Sequence, residues 1–163
     1  MRIIIEGCDG TGKTTLAKLL ANEYNLDICH CGKEDPCDYD FYRQSVRKDN
    51  VVWDRHTIGE LIYPKVFDRV QQIGTEDARL VISYAKSIDA KIFVLTTDVD
   101  EIKKRLLIRG GEDSRIYNKI KWIDDQFRFY ADQFCIPTID TSKLTIKEIF
   151  DMVNKKDNFK YIH

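Results

Sequence analysis

The stretch Gly7-Cys8-Asp9-Gly10-Thr11-Gly12-Lys13-Thr14 carries glycine, lysine and a hydroxyl at the spacing G-x-x-x-x-G-K-S/T. These are residues for phosphate chemistry. Glycines let backbone N–H groups converge on phosphate oxygens, and a helix N-terminus behind them adds a favourable field for an anion. Lys13 is placed to reach the β- and γ-phosphates of a nucleotide. The Thr14 hydroxyl is placed to ligate Mg²⁺, with Thr15 continuing the helix. The spacing is not G-x-G-x-x-G, which disfavours a dinucleotide fold of the Rossmann type.

Two further stretches hold residues suited to the same chemistry. In Val51-Val52-Trp53-Asp54-Arg55-His56 an apolar run ends in an acid. A carboxylate there can orient Mg²⁺ opposite the loop, usually through water. Arg55 can grip a phosphate with two parallel N–H groups, which lysine cannot. Read alone, the pair fits equally well a helix cap and a solvated arginine. In RLLIRGGEDSRIY, residues 105–117, Arg105, Arg109 and Arg115 surround Gly110-Gly111. Arg105 and Arg109 lie four apart, where like charges repel. The segment reads either as a glycine-hinged lid that brings positive charge over a transferring phosphoryl group, or as an exposed helix end whose cations suit its dipole.

The elements that must position these residues alternate along the chain. Strands are expected at 2–6, 26–31, 51–53, 91–96 and 138–140. Helices are expected at 13–24, 39–47, 58–72, 76–88, 99–109, 118–133 and 146–153. Such alternation predicts an α/β, P-loop three-layer fold: a parallel sheet of about five strands with helices on both faces. Ligands bind beyond the carboxyl ends of such strands, so the loop, Asp54 and Thr96-Thr97-Asp98 should share one cleft. The 163 residues suit a single domain.

Composition narrows the partners. A formal net charge of −1 gives no whole-chain footprint for nucleic acid. The N-terminus has no signal pattern and no apolar stretch approaches a membrane span, so a cytoplasmic, intracellular protein is expected. The five cysteines, Cys8, Cys29, Cys31, Cys37 and Cys135, are an odd number in such a chain, so free thiols are the default. Cys29-His30-Cys31 with Cys37 invites a zinc reading, but it lacks a C-x-x-C pair and would alternate faces on a strand.

Together the stretches resemble the thymidylate kinase family of P-loop nucleoside monophosphate kinases. EGCDGTGKTT is similar to that family's E-G-x-D/E-x-x-G-K-S/T-T loop, and WDRHTIGELIY to its D-R-Y/H segment with a tyrosine eight residues after the arginine. RLLIRGGEDSRIY is similar to its lid, and IDTSKLTIKEI to its last strand and adenine loop. The resemblance implies one kinase domain over 1–163 with a lid at about 105–117, using ATP and Mg²⁺. Gly7, Asp9, Gly10, Thr11, Gly12, Lys13, Thr14 and Thr15 would hold ATP, with Arg105 stacked on adenine and Ser142, Lys143 and Leu144 at its edge. Thr14 and Asp54 would serve the metal. Arg55 would grip the acceptor's 5′-phosphate, Asp9 would meet the sugar, and Tyr63 would pack below it. Lys13, Arg55, Arg109 and Arg115 would be the catalytic cations. By analogy with the family the chain would form a homodimer.

The chain also departs from the family. Residues 26–50, LDICHCGKEDPCDYDFYRQSVRKDN, replace a longer stretch that normally contains R-E-P-G and supplies a base-stacking aromatic and a phosphate-binding arginine. Phe41, Tyr42, Arg43 and Arg47 are the candidates to replace them. Pro64 stands where glutamine is usual, and Ser114 adds a residue to the lid register. A compact, viral-type kinase with a shifted substrate fits this pattern.

The activity implied is ATP-dependent phosphorylation of a small-molecule nucleotide, a deoxynucleoside 5′-monophosphate such as dTMP or dUMP. Two alternatives stay open. One keeps the fold but phosphorylates a deoxynucleoside or a hydroxyl on a polynucleotide, with Glu6, Asp9 or Asp54 as base. The other is a nucleotide-dependent switch.

Overall fold

The computed structural model describes residues 1–32, 34–110 and 113–154. Its elements run β1 (Arg2–Gly7), α1 (Lys13–Tyr24), β2 (Asp27–His30), α2 (Tyr39–Ser45), β3 (Val51–Asp54) and α3 (Thr57–Phe67). They continue as α4 (Thr75–Ser87), β4 (Lys91–Thr96), α5 (Val99–Ile108), α6 (Ser114–Gln133), β5 (Thr138–Asp140) and α7 (Ile146–Asn154). The strands form one five-stranded sheet in the order β2-β3-β1-β4-β5, with every pairing parallel.

Central strands covered on both faces need no polar alternation, and β1 and β4 show none. Successive side chains of a strand point to opposite faces. Ile3, Ile5, Val52, Phe93 and Leu95 therefore meet Leu16 and Leu20 of α1 and Ile149 and Val153 of α7 in one core layer. Ile4, Val51, Trp53, Ile92 and Val94 meet Leu61 of α3, Val81 of α4, Ile102 of α5 and Phe127 of α6 in the other. This is the three-layer α/β arrangement expected from the sequence. Among the described residues, no helix is long and apolar enough to cross a membrane.

Two boundaries differ from expectation in ways that matter to the site. The helix expected to reach residue 72 stops at Phe67. Asp68 turns left-handed (φ 51°), and its N–H bonds back to the Pro64 carbonyl. The chain then doubles back and brings Arg69 against Glu60. The helix expected from residue 118 begins at Ser114, because Asp113 caps it by accepting the Arg115 N–H at 2.9 Å. Of the expected lid, Gly111 and Glu112 lie outside the described residues, as do residues 155–163 of the expected domain.

Register decides which strand ends meet. Ile5 of β1 and His30 of β2 both pair with Asp54 of β3. Gly7 of β1 pairs with Leu95 of β4. The phosphate loop, Asp54 and Thr96 thus stand on one carboxyl edge of the sheet.

Candidate active site

The loop begins where β1 has no room for a side chain. A Cβ on Gly7 (φ 136°) would lie 2.2 Å from the Leu95 carbonyl oxygen, so this glycine is required by the approach of β4. At the other end Gly12 (φ 97°) leads directly into α1, which has no side-chain cap and no acid in its first turn. The first N–H groups of α1 are left for an anion. Lys13 is buried, and its ammonium donates to the Cys8 carbonyl at 2.6 Å. Burial lowers its pKa, with the Asp54 carboxylate opposing that fall.

Thr14 donates its hydroxyl to Asp54 Oδ2 at 2.6 Å, and Asp54 Oδ1 is buried without a hydrogen-bond partner. A hydroxyl beside a carboxylate with an unsatisfied buried oxygen is a hard-oxygen donor set that suits Mg²⁺. Among the described residues no group of three or more His, Cys, Asp or Glu is placed to hold a metal. An ion at this position would therefore complete its shell with water and phosphate oxygens, as Mg²⁺ does.

Arg55 follows in a left-handed conformation (φ 75°), which costs a non-glycine residue about 1 kcal/mol. The strain aims its guanidinium at Asp9 in the loop, with which it forms an ion pair, and lays it 4.8 Å over the Tyr63 ring. The Tyr63 hydroxyl donates to the other Asp9 oxygen at 2.6 Å. Loop, strand end and α3 are thereby knotted together. Two buried groups support the knot from below. Glu6 accepts the Ile58 N–H at 2.7 Å, and its burial pushes its pKa up to about 7. His56 bonds to Ser45 Oγ at 2.6 Å, and burial pushes its pKa down to about 3, so it is neutral at ordinary pH.

Three cavities open on this edge. The smallest, about 50 Å³, is the phosphate cradle itself, between Gly12, Lys13, Thr14, Asp54, Arg55 and Arg109. A second, about 290 Å³, lies between the loop and α7, against Thr15, Arg105, Arg109, Thr141 and Leu144. There Arg105 donates to the Gly10 carbonyl at 3.2 Å, and the Thr141 hydroxyl donates to the Thr11 carbonyl at 3.1 Å. The third, about 670 Å³, extends from Arg55 along Tyr63 and Phe67 to Tyr42, Glu60 and Arg69. Its far wall is an ion pair: Arg69 donates twice to the buried Glu60 carboxylate, at 2.8 and 2.5 Å. Arg115 covers its mouth, paired with Asp113 at 2.6 Å and lying 4.8 Å over the Phe67 ring.

The structure thus brings Asp9, Gly10, Gly12, Lys13, Thr14, Asp54, Arg55 and Arg109 around one cradle, with Thr11, Thr15 and Arg105 on one side and Tyr63 on the other. Several expected residues stand elsewhere. Arg115 lines the large cavity and not the cradle. Ser142 turns its N–H to Asp140 and Lys143 is exposed, while their neighbours Thr141 and Leu144 line the second cavity. Of the four candidates in the compressed segment, Phe41, Tyr42, Arg43 and Arg47, only Tyr42 lines the large cavity. Phe41 packs edge-on against Tyr42, and Arg43 is exposed. Arg47 lies beyond α2 at the amino end of the sheet, where its carbonyl accepts from Arg2 and its side chain lies 5.6 Å over Tyr84. Helical spacing could not reveal that α2 runs away from the carboxyl edge. His30, Glu60, Arg69 and Thr141 line the cavities without a sequence motif to mark them.

Comparison with known proteins bears on this site. No protein-family model matches the chain. It is 26% identical over 187 residues to a protein named as a probable thymidylate kinase from Methanococcus maripaludis, covering 93% of this chain and 92% of that one. The YorR protein of Bacillus subtilis, solved in complex with phosphorylated GDP, shares the fold with a TM-score of 0.81 at 24% identity, covering 94% of this chain and 93% of that one. A deoxyadenosine kinase from M. mycoides with bound dCTP shares it with a TM-score of 0.60 at 16% identity, covering 94% of this chain and 96% of that one. The chain is a nucleotide kinase-like P-loop phosphotransferase, similar over nearly its whole length to proteins named as probable thymidylate kinases.

Proposed function

We propose that the chain transfers the γ-phosphoryl group of ATP to a deoxynucleoside 5′-monophosphate, dTMP or a related pyrimidine such as dUMP, giving the diphosphate. The observation that carries this reading is the position of Arg55, where the phosphate cradle meets the large cavity. An acceptor whose base and sugar fill about 670 Å³ would present its own phosphate there. The pyrimidine choice rests on the likeness to proteins named as thymidylate kinases.

In this reading an acceptor phosphate oxygen attacks the γ-phosphorus, the bond to the β–γ bridging oxygen breaks, and ADP leaves. The attacking oxygen is already anionic, so positioning and charge neutralisation replace a strong base. Lys13, Arg55 and Arg109 supply the charge, and Asp9 with Tyr63 fixes the sugar. Mg²⁺, held by Thr14 and through water by Asp54, would neutralise charge on the β- and γ-phosphates. Residues 1–163 act as one kinase domain with 105–117 as its lid, on nucleotide pools of the cytoplasm.

Asp9 favours a second reading, in which the acceptor is a nucleoside or a polynucleotide hydroxyl. Its carboxylate lines the cradle beside Arg55, where a hydroxyl acceptor would use it as a base. ADP formation across deoxynucleoside monophosphates, nucleosides and DNA oligomers separates the two. Stimulation by dTMP or dUMP supports the first, stimulation only by nucleosides or DNA the second, and stimulation by nothing would overturn both.

A further inference from the structure

We propose that His30 is a second ligand for the acceptor's own phosphate, beside Arg55, and helps the site select a monophosphate over a nucleoside. The inference rests on the acceptor reading of the large cavity. Parallel pairing puts His30, the last residue of β2, in register with Asp54, the last residue of β3. The two strand ends therefore deliver His30 and Arg55 to the same stretch of the carboxyl edge.

Both residues line the cradle of about 50 Å³ and the acceptor cavity of about 670 Å³, and no other described residue lines both. A phosphate that receives the transferred group must occupy that junction. The imidazole leans over Gly32, where an added Cβ would meet His30 Cδ2 at 3.6 Å and Nε2 at 4.0 Å. His30 is exposed and belongs to neither core layer, so packing gives it no task.

The charges around the junction call for another donor. Asp9 and Asp54 face it with negative charge, and Asp9 already engages the Arg55 guanidinium that an incoming phosphate would need. An imidazole N–H can donate to a phosphate oxygen, and among the described residues no carboxylate is hydrogen-bonded to His30. The arginines of the compressed segment do not fill this place, since Arg43 and Arg47 line neither cavity.

The test compares wild type with His30→Ala, His30→Gln and His30→Arg, each checked for folding by circular dichroism. Steady-state kinetics would give KM for dTMP or dUMP and KM for ATP, and thymidine would be titrated as a competitor lacking the phosphate. Losing a hydrogen bond to a charged group should raise the monophosphate KM about tenfold or more in His30→Ala. ATP KM and thymidine inhibition should stay unchanged, and His30→Arg should restore the monophosphate KM. An unchanged monophosphate KM, or equal weakening of thymidine, would overturn the role of His30 and leave the proposed reaction standing. A wild-type enzyme that no monophosphate stimulates would overturn both.

Discussion

Thr14 donates its hydroxyl to Asp54 at 2.6 Å across 40 residues of sequence. The bond joins the first turn of α1 to the end of β3, and it forms because β3 lies beside β1, the strand that feeds the loop. It leaves one Asp54 oxygen buried and unsatisfied beside the phosphate cradle. A cation and its water would satisfy that oxygen. Asp54→Asn keeps the shape and removes the charge. The expected result is a 10- to 100-fold higher Mg²⁺ requirement, about the cost of losing a supporting partner at a metal site, with folding intact. Turnover measured against Mg²⁺ concentration checks it, and an unshifted curve would remove Asp54 from the metal site.

Arg55 is the residue whose geometry lysine cannot imitate. Arg55→Lys keeps one positive charge but loses the planar fork and the stacking on Tyr63. Two charge-assisted hydrogen bonds are at stake, so kcat/KM for the acceptor should fall about 100-fold while ATP KM moves little. Wild-type efficiency in Arg55→Lys would mean that the acceptor phosphate is held elsewhere.

How much of this site the sequence revealed depended on how each residue reaches it. Lys13, Thr14 and Asp54 were legible because contiguous spacing and a single strand end place them. The sheet was legible because β1 and β4 are uninterrupted apolar runs, as strands buried on both faces must be. His30 was not, because only the pairing of β2 with β3 brings it beside Asp54. Arg69 was not, because its place depends on α3 ending at Asp68 and the chain doubling back. Arg43 and Arg47 looked suitable by charge, yet helical spacing says nothing of which end of the sheet a short helix approaches. Of Ser142, Lys143 and Leu144 only Leu144 lines the second cavity, because the turn after β5 presents Thr141 and Leu144 to it.

Glu6 makes a prediction about pH. Its folded pKa, about 7, lies above the ordinary 4.5, so the folded state holds a proton that the unfolded chain has lost. Its contribution to stability is full below pH 4.5 and disappears as pH rises through 7. Glu6→Gln removes this dependence. The variant should gain on wild type between pH 5 and pH 8 by up to about 3 kcal/mol, seen as a converging or reversed Tm difference. A Tm difference that stays constant with pH would show that Glu6 is ionised throughout. His56 works in the opposite sense: its pKa near 3 makes its share of stability fall as pH drops from 6.5.

The Glu60–Arg69 pair should matter to stability as well as to the cavity wall. Glu60 has only 1% of its side chain exposed, so Arg69→Met strands a buried carboxylate. A loss of about 3 kcal/mol is expected in urea unfolding, at the low end for a broken buried pair because Arg69 itself is 33% exposed. The double variant Glu60→Leu with Arg69→Leu should recover part of that loss. A change below about 0.5 kcal/mol in Arg69→Met would mean that water already satisfies Glu60.

The proposed reaction requires the large cavity to deliver a phosphate to the cradle. Incubation with γ-labelled ATP, Mg²⁺ and dTMP or dUMP, followed by separation of the products, tests it most directly. Label should appear on the β-position of a deoxynucleoside diphosphate, in step with ADP. Label released only as inorganic phosphate, or transferred only when a nucleoside or DNA replaces the monophosphate, would contradict it.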